Sequence, residues 1–324
     1  MLIVQKFGGS SIADGDRLRR AAGICMRQRQ NGNEVVVVVS AMGDTTDLLA
    51  DRARVLGGKP SPREMDALIT TGEQQSAALL VMTMESLGMP AVSLAGWQAG
   101  IYTDCRYGDS DIRLIAPVRI REALSRGKVP VVTGFQGVCA AGDITSLGRG
   151  GSDTTAVALA AALESDCCEI YTDVDGIYTA DPRLIQEAVK LDAIDYRDML
   201  ALAEAGSQVL HAKSVELAMA NSVVIHLLSS FTDAPGSQVR ALRDGSRADF
   251  AGITRSRTSG EISLAGKAAD TAALSRAVLL LAAEGIEVLS GSVGDGRISV
   301  LVKEEEQPRT MQLLHREMIL KALK

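Results

Sequence analysis

The segment Ser146–Arg183, with the sequence SLGRGGSDTTAVALAAALESDCCEIYTDVDGIYTADPR, predicts the fold class and much of the functional site. Its two glycine-containing corners, Gly148–Thr155 and Asp173–Gly176, flank an apolar stretch. Glycines let the backbone approach a ligand closely and a helix N-terminus binds anions, so the first corner predicts an anion site. The second corner follows the predicted strand Glu169–Thr172, and open α/β sheets bind ligands outside the carboxyl ends of their strands. Together the corners favour a nucleotide-binding kinase.

The chain around this segment alternates predicted strands with predicted helices. Apolar strands are expected at Leu2–Phe7, at the valine run Glu34–Ser40 and at Val129–Thr133. A continuous run of valines is typical of a strand that is buried on both faces of a parallel sheet. The alternation therefore predicts an α/β protein with a mostly parallel sheet and helices on both faces.

Two of the predicted helices carry expectations that the structure tests. A buried helix is expected over Ala156–Leu163, with Ser152 and Asp153 among its candidate N-cap residues. An amphipathic helix is expected over Ile112–Arg126.

Composition argues against several classes of function. The 324 residues are 46% hydrophobic and carry a net charge of −6, which disfavours a general nucleic-acid-binding role. The five cysteines show no C-x-x-C spacing and the three histidines are scattered, so no protein metal site is predicted. No signal peptide or membrane-spanning run is predicted, and a cytoplasmic location is expected.

Two domains are expected, a first at residues 1–240 and a smaller one at residues 250–324, joined by a linker at residues 241–249. In the second domain, Phe250–Gly266 predicts one strand or two short ones. Helix, strand, strand and helix follow, and a β-α-β-β-α order is that of a ferredoxin-like module without an obvious final strand.

Two charged residues each allow a functional and a plain structural interpretation. Lys6 precedes a Gly-Gly corner, where it is either a phosphate-binding lysine or a solvated charge. Glu73 begins a predicted helix, where it either binds a ligand or complements the helix dipole.

Several motifs, in this order along nearly the whole chain, resemble the aspartate kinase family of the amino-acid kinase fold, followed by one module resembling an ACT domain. The resemblance lies in Lys6–Ser11, Ser40–Gly43, Thr70–Glu73, Gly134–Gly137, Gly148–Ala156 and Tyr171–Arg183. It implies transfer of the ATP γ-phosphoryl group to the side-chain carboxylate of L-aspartate, with ATP and Mg²⁺ as cofactors. It also implies a homodimer formed through ACT pairing and an amino-acid effector.

The resemblance assigns roles to particular residues. Lys6 and Asp153 are implied at the reacting centre, with Asp153 an orienting group, an N-cap or both. The residues implied to bind the amino acid are Ser40, Thr46, Glu73, Arg149 and Ser152. Those implied to bind the nucleotide are Lys6, Gly8, Gly9, Ser10, Thr172, Asp173, Tyr178 and Arg183.

The sequence departs from the family pattern at two places. Gln208 stands where many members carry a lysine near the nucleotide, with Lys213 as a candidate replacement. The chain also has room for one ACT module where the family commonly has two. Two alternatives stay open: a catalytically silent amino-acid sensor, and a related kinase of the fold that phosphorylates another carboxylate.

Overall fold

The computed structural model describes residues 1–56 and 58–322. The strands are β1 (Leu2–Phe7), β2 (Glu34–Val39), β3 (Ala91–Leu94), β4 (Ile101–Thr103), β5 (Ile112–Ile115), β6 (Val129–Thr133), β7 (Gln136–Cys139), β8 (Ile144–Ser146), β9 (Cys167–Thr172), β10 (Ile177–Tyr178), β11 (Lys190–Leu191), β12 (Ala193–Ile194), β13 (Ile225–Ser229), β14 (Ser237–Val239), β15 (Gly252–Arg255), β16 (Glu261–Ala265), β17 (Ser290–Gly294) and β18 (Arg297–Leu301).

The helices are α1 (Gly15–Gln30), α2 (Thr45–Val55), α3 (Pro62–Ile69), α4 (Thr71–Ser86), α5 (Val118–Ser125), α6 (Gly151–Leu163), α7 (Tyr196–Glu204), α8 (Ala212–Asn221), α9 (Thr271–Ala283) and α10 (Gln307–Leu314), which continues as a π-helical turn over His315–Leu320. Short 3₁₀ turns occupy Gly9–Ile12, Asp244–Ser246 and Glu304–Glu306. Within the described ranges, no helix is both long and apolar enough to span a bilayer.

The chain forms two compact units. The first contains Met1–Asp175 and Ala220–Pro235, and the second contains Gly176–Met219 and Gly236–Lys324. Compactness thus assigns Gly176–Met219 to the second unit, whereas the sequence-based division follows the linker at residues 241–249. The sequence-based division stays a prediction, and residues 323 and 324 at its end lie outside the described part.

A parallel sheet forms the core of the first unit. Its strands run in the order β13-β9-β1-β2-β6-β3, and every neighbouring pair among them is parallel. Val35–Val39 of β2 are completely buried, as the valine run predicts. Alternate valines pack with α1 and α4, while α5 and α6 contact the same central strands. The predicted α/β class and mostly parallel sheet are confirmed, and all the carboxyl ends of these strands meet at one edge.

A second, mixed sheet lies in the first unit, in the order β5-β4-β7-β8. The prediction of a single helix over Ile112–Arg126 is wrong in its first part, because Ile112–Ile115 pairs with Ile101–Thr103 as a strand. Pro117 separates this strand from α5, since its fixed φ and missing N–H interrupt regular pairing. The helix α3 was also absent from the sequence-based prediction.

The second unit contains a four-stranded antiparallel sheet in the order β15-β16-β18-β17. The segment Phe250–Gly266 therefore contains two short strands, β15 and β16, rather than one. The strand β15 lies at the edge of the sheet beside β16. One face packs its alternating apolar residues, Ile262, Leu264, Ile298 and Val300, against α9 and α10. The opposite face carries the buried Ser263–Ser299 pair, whose hydroxyls lie 2.7 Å apart.

Candidate active site

Lys6 and Asp153 form a buried ion pair at the carboxyl edge of the parallel sheet. The Lys6 Nζ atom lies 2.6 Å from Asp153 Oδ1, and the side chains are 11% and 10% exposed. Lys6 is near the end of β1, while Asp153 lies in the first turn of α6. The structure thus brings together the two residues predicted for the reacting centre, and it excludes the solvated-charge interpretation of Lys6.

The Gly8–Gly9 corner begins beside the Lys6 ammonium. The Gly8 N–H donates to the Tyr171 carbonyl, and the position of a Cβ on Gly8 would lie 3.6 Å from Lys6 Nζ. A Cβ on Gly9 would lie 2.6 Å from the Ala41 carbonyl oxygen, closer than real Cβ atoms approach. Glycine is therefore required at position 9 for the β1 and β2 corners to meet.

Glu73 is a buried carboxyl group in the first turn of α4, 3% exposed. Its Oε1 accepts a hydrogen bond from the Ala41 N–H at 3.0 Å, while Oε2 is buried and has no hydrogen-bond partner among the described residues. Burial raises the pKa of Glu73 to about 7, against the lowering effect of the N–H groups of Glu73 and Ala41. A buried acceptor without a donor is costly unless a ligand supplies one.

The N-terminus of α6 presents polar groups to the same edge. The helix begins at Gly151, and the N-cap is Gly150 with φ 72° rather than Ser152 or Asp153, so the N-cap prediction is wrong. Glycine adopts this left-handed conformation without strain. Ser152 and Asp153 consequently lie inside the first turn, and Ser152 packs against Gly134 at the end of β6.

A cavity of about 620 Å³, called here the Arg149 cavity, opens beside the α6 N-terminus. Its lining includes two of the five predicted substrate-binding residues, Thr46 and Arg149, and Arg149 is exposed. The guanidinium of Arg149 has no ion-pair partner in the part of the chain described by the structure. A planar, unpaired guanidinium is suited to bidentate binding of a carboxylate.

Sequence reasoning missed part of this lining. Met65 and Ile69 from α3, together with Phe135, add apolar surface, and Asp66 adds a carboxylate. The α3 helix was not predicted, so no periodic signal pointed to these side chains. Phe135 was quoted within a motif, and its φ of 67° marks it as an unusual backbone position.

The predicted nucleotide-binding residues are divided between the units. In the first unit, Thr172 ends β9, and its hydroxyl donates to the exposed Asp173 carboxylate at 3.0 Å. Ser10 is exposed in the turn after β1. Tyr178 and Arg183 belong to the second unit, where Arg183 pairs with Asp181 at 2.8 Å. Their contact with a nucleotide stays a prediction, as does the effect of Gln208.

Within residues 1–56 and 58–322, no group of three or more His, Cys, Asp or Glu side chains is placed to hold a metal ion. Two carboxylates nevertheless lie at this edge of the sheet: Asp153 in the first turn of α6, and Asp173 directly after the last residue of β9. Mg²⁺ is commonly bound by one or two carboxylates together with substrate phosphates and water. The donor set fits an Mg²⁺ that enters with a nucleotide.

Comparison with known proteins identifies the family of the chain. The model of the amino acid kinase family matches residues 1–229. The chain belongs to the amino acid kinase family. It is 44% identical to the aspartokinase of Corynebacterium efficiens over 324 aligned residues, which cover 97% of this chain and 77% of that protein.

A second relative gives a higher identity over a shorter region. The aspartokinase of Mycolicibacterium smegmatis is 49% identical over 269 residues, or 82% of this chain. The chain spans about 64% of the length of that relative. Among solved structures, Escherichia coli aspartokinase III in complex with aspartate and ADP superimposes with a TM-score of 0.86 at 21% identity, covering 98% of this chain and 100% of that one. At that identity the likeness supports the fold alone.

Proposed function

We propose that this amino acid kinase is an aspartate kinase that transfers the γ-phosphoryl group of ATP to the side-chain carboxylate of L-aspartate. The observation that carries the proposal is the Lys6–Asp153 pair at 2.6 Å, set among the glycine corner, Glu73 and the Arg149 cavity. The aspartokinase names of relatives at 44% and 49% identity support the choice of acceptor.

The chemistry requires positive charge more than a base. A carboxylate with an ordinary pKa near ~4 is already ionised at neutral pH, so no proton must be removed before it attacks. The obstacle is the approach of one anion to a polyanion, which alignment and fixed positive charge overcome. The Lys6 ammonium would contact the transferring phosphoryl group, and Asp153 would orient that ammonium through the ion pair.

Recognition of the amino acid would divide between two charged groups. Arg149 would bind the α-carboxylate, because it lines the cavity and its guanidinium has no ion-pair partner among the described residues. The unpartnered Oε2 of Glu73 would accept the substrate ammonium. Ser40, Thr46 and Ser152 would supply hydroxyl groups around the acceptor.

The nucleotide phosphates would lie over the corner formed by Gly8, Gly9 and Ser10, with Thr172 and Asp173 nearby at the end of β9. Asp173 and the nucleotide phosphates would hold Mg²⁺, which supplies positive charge to the phosphate oxygens when bound. Tyr178 and Arg183 are proposed to contribute further nucleotide contacts.

Trapping of the product with hydroxylamine tests the proposal. An acyl phosphate reacts with hydroxylamine to give a coloured hydroxamate, so the signal reports product chemistry rather than loss of ATP. L-Aspartate, L-glutamate and N-acetyl-L-glutamate are compared with Mg-ATP. We expect hydroxamate from L-aspartate; a stronger signal from either other acid would reassign the acceptor, and no signal from any of them would favour a silent sensor.

We further propose that residues 250–324 form an ACT-like regulatory module that pairs with the same module of a second chain, giving a homodimer. The edge strand β17 supports this, since all five of its residues are exposed and β18 is its partner on one side. Val293 and Leu289 add apolar surface there, 41% and 52% exposed. An exposed edge strand is a template for pairing with another chain, and an amino-acid effector would bind at the seam.

Sedimentation velocity tests the dimer. Val293→Lys places a charge on the edge strand, while Leu114→Lys makes the same kind of change on an exposed residue of β5 in the first unit. We expect Val293→Lys to dissociate the dimer and Leu114→Lys to leave it intact. A wild-type monomer, or equal effects of the two substitutions, would argue against pairing through β17.

We also propose that the protein is located in the cytoplasm.

A further inference from the structure

Asp66 is a buried carboxylate that borders the Arg149 cavity and has no role in the chemistry described above. It lies in α3 and is 1% exposed. Its Oδ2 atom accepts hydrogen bonds from the N–H groups of Gly108 and Ser146, each at 2.9 Å. Its Oδ1 atom accepts a hydrogen bond from the Ser146 hydroxyl at 2.6 Å.

These hydrogen bonds connect two chain segments that both line the cavity. Gly108 belongs to the turn after β4, and Ser146 is the last residue of β8. The two segments also bond to each other, since the Ser110 N–H donates to the Ser146 carbonyl at 2.9 Å. Asp66 therefore ties α3 to both segments through one carboxylate.

One of these segments runs directly to Arg149, and the other packs against the glycine that precedes Arg149. The chain passes from Ser146 through Gly148, whose φ is 70°, directly to Arg149. A Cβ on Gly148 would lie 2.5 Å from Asp109 Oδ1, so Gly148 packs tightly against the residue that follows Gly108. The two segments that Asp66 holds thus determine where the Arg149 side chain enters the cavity.

We propose that Asp66 is a positioning residue for amino-acid binding, which acts by fixing the Arg149 guanidinium rather than by contacting the substrate. The proposal rests on the proposed function, in which Arg149 binds the substrate carboxylate. A long side chain on a loop needs such support, because small displacements of a binding group are costly when the ligand geometry is bidentate.

Two substitutions separate positioning from charge. Asp66→Asn removes the charge and keeps the geometry: its amide oxygen can accept both N–H groups, and its NH₂ can donate to the Ser146 hydroxyl. Asp66→Glu keeps the charge but lengthens the side chain, so the three hydrogen bonds cannot persist without moving Gly108 and Ser146.

The measurement is the KM for L-aspartate and for ATP in the hydroxamate assay. We expect Asp66→Glu to raise the KM for L-aspartate at least about tenfold, the size of one lost charge-assisted contact, with the KM for ATP changed less than about threefold. Asp66→Asn is expected to stay within about threefold of the wild type for both substrates. The opposite ranking of the two variants would overturn the proposal.

A double substitution tests whether Asp66 acts through Arg149. In an Arg149→Ala background, Asp66→Glu is expected to add no further increase in the KM for L-aspartate, because the group that it positions is already absent. Independent, multiplicative effects would overturn the proposal. A wild-type enzyme that forms no hydroxamate from L-aspartate would instead defeat the proposed function, and the two failures are therefore distinguishable.

Asp198→Glu is the matched control for folding. Asp198 is similarly buried, at 2% exposure, and pairs with Arg247 in the second unit. Both substitutions are expected to lower the melting temperature, while only that at Asp66 changes the KM for L-aspartate. If Asp66→Glu does not yield folded protein, Asp66→Ala replaces it under the same criteria, and an unchanged KM in that variant contradicts positioning.

Discussion

The ammonium of Lys6 lies 2.6 Å from the carboxylate of Asp153, although the two residues are far apart in the sequence. The pair joins the end of β1 to the first turn of α6, and about nine-tenths of each side chain is buried. A buried pair depends on both partners, because removing one leaves an uncompensated charge. This relationship links the stability of the site to its proposed chemistry.

Replacing Lys6 with methionine should therefore have two separable effects. We expect the rate of hydroxamate formation to fall at least about 100-fold, as when a fixed electrostatic donor is removed from a reacting centre. The free energy of unfolding should also fall, by up to about 3–5 kcal/mol, because Asp153 keeps a buried charge without a partner.

A double-substitution cycle distinguishes these effects. Adding Asp153→Asn to Lys6→Met removes the stranded charge, so stability should recover while activity does not. Lys267→Met, which breaks an exposed pair with Asp249, is the control and should change neither. Recovery of activity along with stability would show that Lys6 is structural.

The carboxyl group of Glu73 should make stability depend on pH. Burial raises its pKa from 4.5 to about 7 in the folded state, so the folded protein binds this proton more tightly than the unfolded chain does. The resulting contribution to stability is complete below about pH 4.5 and is lost as pH rises through about 7. In Glu73→Gln this contribution should be absent, which chemical denaturation across that pH range measures.

The same group should affect substrate binding in the opposite direction. A negatively charged Glu73 attracts the substrate ammonium, so the KM for L-aspartate should fall as pH rises through about 7 in the wild type. This dependence should disappear in Glu73→Gln. A pH profile that is identical in both proteins would remove Glu73 from ammonium binding.

The close contact between Gly9 and Ala41 predicts a strong effect of one methyl group. In Gly9→Ala the new Cβ would lie 2.6 Å from the Ala41 carbonyl oxygen, so the corner must shift. The KM for ATP should rise more than the KM for L-aspartate. Gly23→Ala, in α1 with no atom within 4 Å of the new Cβ, should instead stabilise the protein by about 0.5–1 kcal/mol. Equal changes in stability and in the KM for ATP in the two variants would show that the close contact between Gly9 and Ala41 is not the cause.

Cys105 should be the first cysteine to react with an alkylating reagent. It is exposed, and hydrogen bonds from Cys139 and from the backbone at Ala141 lower the pKa of its thiol. Burial raises the pKa of Cys25, Cys167 and Cys168. Because the thiolate is the nucleophile, limited iodoacetamide treatment followed by peptide mass spectrometry should identify Cys105 before these three. Earlier labelling of Cys167 would contradict the expected order.

The sequence was informative where the pattern was long and unambiguous. Val35–Val39 form a continuous apolar run, and the structure buries every one of them. The strands β4 and β5 were missed because three or four residues are too few to establish a period, and their burial is uneven. The mixed sheet could not be predicted from such segments.

The site shows the same limit. The roles of Lys6, Glu73, Arg149 and Asp153 were implied by motifs that resemble the family, and each of these residues stands beside a glycine corner or a helix start. The proposed role of Asp66 could not be predicted from the sequence, because its hydrogen-bond partners lie 42 and 80 residues away. A single aspartate in a short helix also matches no known motif. Tertiary hydrogen bonds of this kind are fixed by the fold and leave no local signal.

The most direct test of the proposed phosphoryl transfer is to identify the hydroxamate formed from L-aspartate, Mg-ATP and hydroxylamine by chromatography and mass spectrometry. Transfer to the side-chain carboxylate predicts the β-hydroxamate, formed in proportion to ADP and lost in Lys6→Met. The α-hydroxamate, or a β-hydroxamate that forms equally well without Lys6, would contradict it.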